Sequence, residues 1–220
     1  VTAPVLPRAP PSAGTGPPGV HALEDATYFF RAQDGSVLTL LTLELLAARD
    51  DAAHVPQGLV PTYLGTVSVE ETGRRGEDRR EAVARTVPLD IEPGAVAGGR
   101  ASFFGRVYLK SGRTYAVRYA VKDGAREEIL VRNSLLGVPD LGRGFSASSI
   151  VPADKFGPAG PGAGRFQVGS EEVIPKAGGI FRRSDLLRLY LQVYDAAIDP
   201  ETSTARVDVM FRFYRSVKGS

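Results

Sequence analysis

The chain has 220 residues, of which 43% are hydrophobic and 24% charged, a composition typical of soluble globular proteins with one large or two small domains. The formal net charge of +2 is too balanced to favour a nucleic-acid-binding protein. The chain has no cysteine, which excludes disulfides, thiolate nucleophiles and cysteine-ligated zinc. Most basic residues are arginine and Asn133 is the only asparagine, a bias that indicates a GC-rich bacterial genome.

The first 24 residues are predicted to be a proline-rich arm or linker. They contain Pro4, Pro7, Pro10, Pro11, Pro17 and Pro18. Such a segment favours polyproline II or coil and acts as a spacer. A chain that opens on a spacer leads us to expect that a leader, an anchor or another domain preceded it.

Residues 25–140 are predicted to form a first, immunoglobulin-like β-sandwich domain. About seven strand patterns follow one another, separated by turn signals, with little helical periodicity. The predicted strands are Thr27–Gln33, Val37–Leu46, Tyr63–Glu71, Ala82–Asp90, Ser102–Lys110, Arg113–Lys122 and Glu127–Asn133. Asp34-Gly35 between two apolar runs predicts a hairpin. The side chains expected to point inward in the sixth strand are Tyr115, Val117, Tyr119 and Val121.

Residues 141–220 are predicted to form a second, shorter β-sandwich-like domain. Phe145–Val151 is read as a strand and Lys155–Gly164 as a Gly/Pro-rich loop. Leu187 to Tyr194 and Val207 to Phe213 alternate apolar and polar residues on either side of an Asp199–Ser203 turn, which predicts a hairpin with one buried face. A sandwich needs more strands than these, so we expect another element to complete the domain.

Several stretches resemble a family of bacterial proteins. They are Val138–Leu141, Phe145–Val151, Phe166–Gly169, Val173–Pro175, Gly179–Phe181, Leu189–Tyr194 and Asp199–Thr202. Together they are similar to the C-terminal region shared by bacterial GWxTD-domain proteins and von Willebrand A-related bacterial proteins. The GWxTD motif itself is absent, since the chain has no tryptophan. The resemblance implies a periplasmic or extracellular β-sandwich pair, and in that family the chain continues with further strands.

The chemistry-bearing residues do not predict a catalytic site. The two histidines, His21 and His54, lie in a predicted spacer and a loop, and no nucleophile motif accompanies them. Asp195, Asp199 and Glu201 cluster near one strand end, where calcium finds oxygen ligands, yet Asp-Pro-Glu-Thr is also a good turn. No catalytic residue, metal ligand or cofactor is therefore assigned.

Aromatic and arginine residues of the second domain are the candidate partner-binding residues. They are Tyr190, Tyr194, Arg188, Arg206, Arg212 and Tyr214. Tyrosine and arginine are favoured at protein interfaces, although aromatic pairing across strands would explain the same residues. We therefore predict a non-enzymatic structural or interaction module, an accessory subunit of an envelope or membrane-associated assembly. We expect the strand near Val207 to Tyr214 to pair with another chain, which would make the isolated chain oligomeric or aggregation-prone.

The alternative hypothesis is a module that binds carbohydrate or another cell-envelope polymer. It requires a coplanar exposed row of aromatic rings, for which Tyr108, Tyr190 and Tyr194 are the candidates. This hypothesis rests partly on what other sandwich folds do.

Overall fold

The protein is all-β in its computed structural model, which describes residues 20–47, 63–72, 85–91, 100–123, 128–161, 167–176, 181 and 184–212. The strands are β1 Val20–Arg31, β2 Val37–Ala47, β3 Tyr63–Glu71, β4 Arg85–Ile91, β5 Arg100–Leu109, β6 Thr114–Asp123, β7 Glu128–Gly137, β8 Ser146–Ala147, β9 Val151–Pro158, β10 Gln167–Val168, β11 Glu171–Pro175, β12 Arg188–Tyr190 and β13 Val193–Tyr194. None of the described residues is helical. The predicted all-β, sandwich-like fold is thus confirmed, while its immunoglobulin-like topology stays a prediction.

The first seven strands form one antiparallel sheet in the order β1-β2-β5-β4-β3-β6-β7. Strand β4 joins its two halves, because it pairs with β3 from Arg85 to Leu89 and with β5 only at Asp90 and Ile91. Pro88 lies in the part of β4 that is bonded on one side, which suits a residue without a backbone donor.

The two halves of this sheet face each other across the first hydrophobic core. Its members come from β1, β2 and β5 on one side and from β3 and β6 on the other, with two residues that follow β7. They are Phe29, Val37, Leu41, Leu43, Val67, Val69, Phe103, Val107, Leu109, Tyr115, Val117, Tyr119, Val121, Val138 and Leu141. The inward face predicted for the sixth strand is therefore confirmed. Period-two alternation places every second side chain of these strands in one layer.

An ion pair links the outer strands β1 and β7 of the first unit. Arg132 Nη2 lies 2.9 Å from Asp25 Oδ1, and both side chains are largely shielded from solvent. The Tyr119 hydroxyl lies beneath this ion pair, where burial and then the Asp25 charge raise its pKa.

The remaining strands form a second unit, with a four-stranded sheet ordered β10-β11-β9-β12 and a β8–β13 pair. This unit packs on the outer face of β1 and β2. The second hydrophobic core accordingly joins both units and contains Tyr28, Phe30, Leu38, Leu40, Val151, Ala153, Val168 and Val173, with Ala26 and Tyr190 against it. The predicted division after residue 140 falls between the two sheets, but the apolar packing runs across it.

Several predicted elements differ in the structure. Strand β1 begins at Val20, so that His21 stands at a bulge of this strand instead of in the spacer. Lys155 to Pro158 continues strand β9, because it pairs with β11, and was wrongly predicted as loop. The predicted strand Phe145–Val151 is wrong as a single element, because Ser148 and Ser149 turn their backbone toward other partners between β8 and β9.

The predicted C-terminal hairpin is also wrong in its details. Leu187 to Tyr194 is divided into β12 and β13, and no strand is assigned from 206 to 212. The beginning of the hairpin does exist, since Ile198 and Ala205 form an antiparallel bridge. The physical reason for its early end lies in the geometry of Asp195, described below.

Candidate interaction surface

The joint between the two units is organised around Arg31, the last residue of β1. Its Nε donates to the Leu141 carbonyl oxygen at 2.7 Å, and its Nη2 donates to the Gly144 carbonyl oxygen at 3.0 Å and to Ser146 Oγ at 2.9 Å. Its guanidinium also lies over the Tyr194 ring, 4.7 Å from the centroid. Residues 138–150, between β7 and β9, are called the connecting segment. Because the guanidinium is a rigid, planar fork, these contacts hold β1, the connecting segment and β13 in one arrangement.

Asp195 completes the joint and bends the chain there. Its Oδ2 accepts from Arg31 Nη1 at 2.8 Å and from the Gly144 backbone N at 2.8 Å. These two hydrogen bonds, above all the one from Arg31, hold the pKa of the carboxyl below its ordinary value. Asp195 has a φ of 50°, in the left-handed region that non-glycine residues seldom adopt. The anchored carboxylate therefore accompanies a sharp change of direction directly after β13.

Two serines of the connecting segment attach it to both units. Ser149 exchanges hydrogen bonds with Phe29 of β1, donating its backbone N to the Phe29 carbonyl oxygen at 3.0 Å and accepting from Phe29 N at its Oγ at 3.0 Å. Ser148 does the same with Gln192, through its backbone N at 2.9 Å and its Oγ at 2.8 Å. Sequence reasoning missed these roles, although the stretches that resemble the bacterial family contain both serines and Gln192.

Tyr190 and Tyr194 face inward instead of forming an outer binding surface. The Tyr190 ring lies 6.1 Å from Phe30 and 6.1 Å from Phe156, measured between centroids. Gln192 links the two hydroxyls, because its Nε2 donates to Tyr190 Oη at 3.0 Å and its Oε1 accepts from Tyr194 Oη at 2.8 Å. Burial is the largest cause that raises the pKa of each tyrosine.

This placement bears on the carbohydrate hypothesis. Of its three candidate rings, only Tyr108 on β5 is classed among the exposed large side chains, at 46%. Tyr190 and Tyr194 use their hydroxyls and faces for contacts within the joint and the second core. These three tyrosines therefore do not form a coplanar exposed row, which disfavours carbohydrate binding on an aromatic platform built from them.

The predicted arginines lie at separate places on the second unit. Arg188 in β12 is exposed and donates from Nη1 to the Asp154 carbonyl oxygen at 3.0 Å. Arg206 and Arg212 are exposed near the end of the described chain. Tyr214 lies outside the described residues. The structure therefore brings Arg206 and Arg212 into one segment but separates both from the two inward-facing tyrosines.

That segment, residues 206–212, is here called the outer segment. Its sequence alternates Val207, Val209 and Phe211 with Arg206, Asp208, Met210 and Arg212, as in a strand with one wholly apolar face. Val209, Met210 and Phe211 are nevertheless 55%, 75% and 43% exposed. No strand pairing is assigned to any of the seven residues, and none has a hydrogen bond to the rest of the described chain. A strand-like, apolar segment without a sheet is a candidate site for strand addition.

The joint explains why the outer segment does not pair within its own chain. If the pairing that starts at the bridge between Ile198 and Ala205 continued away from the turn for three more residue pairs, it would place Asp208 directly opposite Asp195. Two carboxylates at that position repel each other. Asp195 is also held in a left-handed conformation by Arg31 and Gly144, which a regular strand does not allow. The hairpin therefore stops at its first bridge, and the outer segment leaves the sheet.

The carboxylates considered for calcium serve different contacts. Asp199 Oδ1 accepts from the backbone N of Glu201 at 2.8 Å and of Thr202 at 3.3 Å, which is the geometry of the predicted turn. The Asp195 carboxylate is bound to Arg31 and Gly144 as described. A search of the described ranges finds no group of three or more metal-ligating side chains. Of the two histidines, His54 lies outside those ranges.

Comparison of the chain with protein-family models, with curated proteins and with solved structures found no match. The likeness to GWxTD-domain and von Willebrand A-related proteins accordingly stays a prediction from the sequence. In the part of the chain that the structure describes, no helix has the length and apolarity to cross a membrane.

Proposed function

We propose that this chain is a non-enzymatic structural and interaction module, an accessory subunit of an envelope or membrane-associated protein assembly. The observation that carries the proposal is the outer segment, which combines strand-like alternation, exposed apolar side chains and no strand pairing in the described structure. A partner sheet would supply the missing backbone hydrogen bonds and cover Val209 and Phe211.

The joint supports this proposal because it fixes the direction in which the outer segment leaves the molecule. Arg31, Asp195 and the serine contacts hold β1, the connecting segment and β13 together, and the bridge between Ile198 and Ala205 ends one residue before the segment begins. An anchor directly before the segment reduces the conformational entropy that the segment loses on binding. The first unit then acts as the scaffold, and the segment acts as the binding element.

The envelope location is part of the proposal and comes from the sequence. The stretches around the joint resemble a family that implies a periplasmic or extracellular protein, and the proline-rich stretch ahead of β1 has the composition of a spacer. Fractionation of native cells tests this part directly. Recovery in the periplasmic or membrane fraction is expected, and recovery in the cytoplasm would contradict it.

Gentle extraction of the tagged chain from native cells, followed by mass spectrometry of co-purifying proteins, tests the interaction. We expect stoichiometric recovery with one or more partners and loss of those partners from the double variant Val209→Asp/Phe211→Asp. The matched control is Leu64→Asp/Leu135→Asp, which makes the same change at two exposed apolar positions of the first unit. Partners that survive the first variant, or recovery as a monomer without any partner, would contradict the proposal.

A further inference from the structure

We propose that the outer segment pairs in antiparallel fashion with the outer segment of a second copy of this chain, around a two-fold axis at Met210. This inference rests on the proposed function and names the partner of the same site. An interface around a two-fold axis is self-complementary, so each residue contact occurs twice. The charge pattern of the segment can therefore decide whether, and in which register, it fits itself.

The axis at Met210 gives a complementary pairing. It places Asp208 of each copy opposite Arg212 of the other, so that two pairs of opposite charges form on one face. It also places Val209 opposite Phe211 twice on the other face, which covers side chains that are 55% and 43% exposed in the single chain. Opposite charges and apolar pairs directly across two strands both stabilise a sheet. No described residue forms an ion pair with Asp208 or Arg212 that would compete.

Other axes within the segment give poorer pairings. An axis at Asp208 sets two carboxylates opposite each other, and an axis at Val209 sets Arg206 opposite Arg212. An axis at Phe211 leaves Asp208 without an opposite cation. An axis at Val207 pairs Arg206 with Asp208 but soon runs into the turn at Ser203, whose φ of 53° ends an extended strand. The charge pattern thus selects the register centred on Met210.

Charge reversal tests this register on the full 220-residue chain. We expect a concentration-dependent dimer in sedimentation equilibrium or light scattering. Asp208→Arg alone and Arg212→Asp alone should each raise the dimer dissociation constant by about tenfold or more, because two attractive pairs become repulsive. The double variant Asp208→Arg/Arg212→Asp should restore dimerisation. Arg206→Asp is the control, because position 206 faces neither charge in this register but would act in the registers centred on Val207 and Val209.

A cross-linking variant locates the axis independently. The chain contains no cysteine, so Met210→Cys introduces a single thiol. Directly opposite Cβ atoms on paired strands lie roughly 4.5–5.5 Å apart, and a small adjustment brings two cysteines within disulfide range. Mild oxidation should convert this variant to a covalent dimer, whereas Leu64→Cys, exposed on the first unit, should form no covalent dimer. Equal cross-linking of the two variants would contradict an axis at Met210.

The outcomes separate this inference from the proposed function. A monomer at every concentration, with partners still recovered from cells through Val209 and Phe211, would overturn pairing with a second copy and leave the interaction module standing. A dimer that ignores the charge reversals would overturn the register. A monomer whose segment variants also retain every cellular partner would overturn both proposals.

Discussion

The two β units bury their apolar side chains in different ways. The first unit folds a seven-stranded sheet over an interior that is filled with its own residues. The second unit has small sheets, and its apolar residues pack mainly on the outer face of β1 and β2. The comparison teaches that the second unit needs the first as a template, whereas the first has a core of its own. The outer segment belongs to the dependent unit and is the part that neither core covers.

Substitutions in the two hydrophobic cores should have the largest effects on stability and should show whether the second unit depends on the first. Phe103→Ala in the first core and Phe30→Ala in the second each remove a fully buried ring, which costs about 3–5 kcal/mol. We expect Phe103→Ala to destabilise both units together in chemical denaturation. We expect Phe30→Ala to release the second unit first, which limited proteolysis would detect as cleavage between β9 and β13 with the first unit intact. Simultaneous loss of both units in each variant would contradict the template relationship.

Substitution of Arg31 should destabilise the joint between the two units, with a smaller loss in the free energy of unfolding than the core substitutions cause. Arg31→Ala removes the hydrogen bonds to Leu141, Gly144, Ser146 and Asp195, and we expect a loss of about 2 kcal/mol in the free energy of unfolding. Arg31→Lys keeps the charge but not the planar fork, so most of that loss should persist. Equal stability of the lysine variant and the native chain would mean that charge alone holds the joint.

Removal of one tyrosine hydroxyl should cost about 1 kcal/mol. Tyr190→Phe keeps the ring between Phe30 and Phe156 and loses only the hydrogen bond from Gln192 Nε2. Tyr108→Phe is the matched control at an exposed position and should leave the unfolding midpoint unchanged. An unchanged midpoint for Tyr190→Phe would show that the hydroxyl contact does not help to attach β12.

The Asp195 carboxylate should give the smallest effect, as a dependence on pH. Its folded pKa is lowered below 3.8, so its contribution is present above the unfolded pKa and is lost as pH falls through the folded pKa. Acid titration of the native chain should show this loss below about pH 4, and Asp195→Asn should flatten that part of the curve. The carboxylate is largely exposed, so the effect should weaken in high salt. Identical curves for both chains would contradict an ionised anchor.

The sequence predicted the first unit well because its strands alternate regularly and its turns carry the expected residues. Asp34-Gly35 indeed lies in the turn that connects β1 and β2. Gly35 has a φ of 81°, and Asp34 Oδ1 accepts a hydrogen bond from Ser36 N at 2.9 Å. Period two decides which face is buried when a sheet packs on one side only. In the first unit, β6 packs against the core on one side only along most of its length, and its inward residues were predicted correctly.

The second unit was predicted less well because its partners are distant in sequence. The alternation from Leu187 to Tyr194 suggested a leucine face toward the core, yet Tyr190 packs on Phe30, which is 160 residues earlier. The near-continuous apolar run of β2 indicates that both of its faces are buried, but the local pattern does not show which segment covers the outer one. Likewise, the hairpin stops at Ala205 because Arg31 and Gly144, both distant in sequence, anchor Asp195. Long-range contacts thus overrode local periodicity at the joint.

Hydrogen exchange of the backbone amides tests the central claim most directly. The account predicts that amides 207–211 exchange rapidly in the chain at low concentration, while those of Ser148, Ser149 and Gln192 in the joint are protected. In the assembled state, as a dimer or with cellular partners, amides 207–211 should become protected and the joint should not change. Strong protection of amides 207–211 in the dilute, monomeric chain would show that the segment is already paired within its own molecule and would contradict the claim.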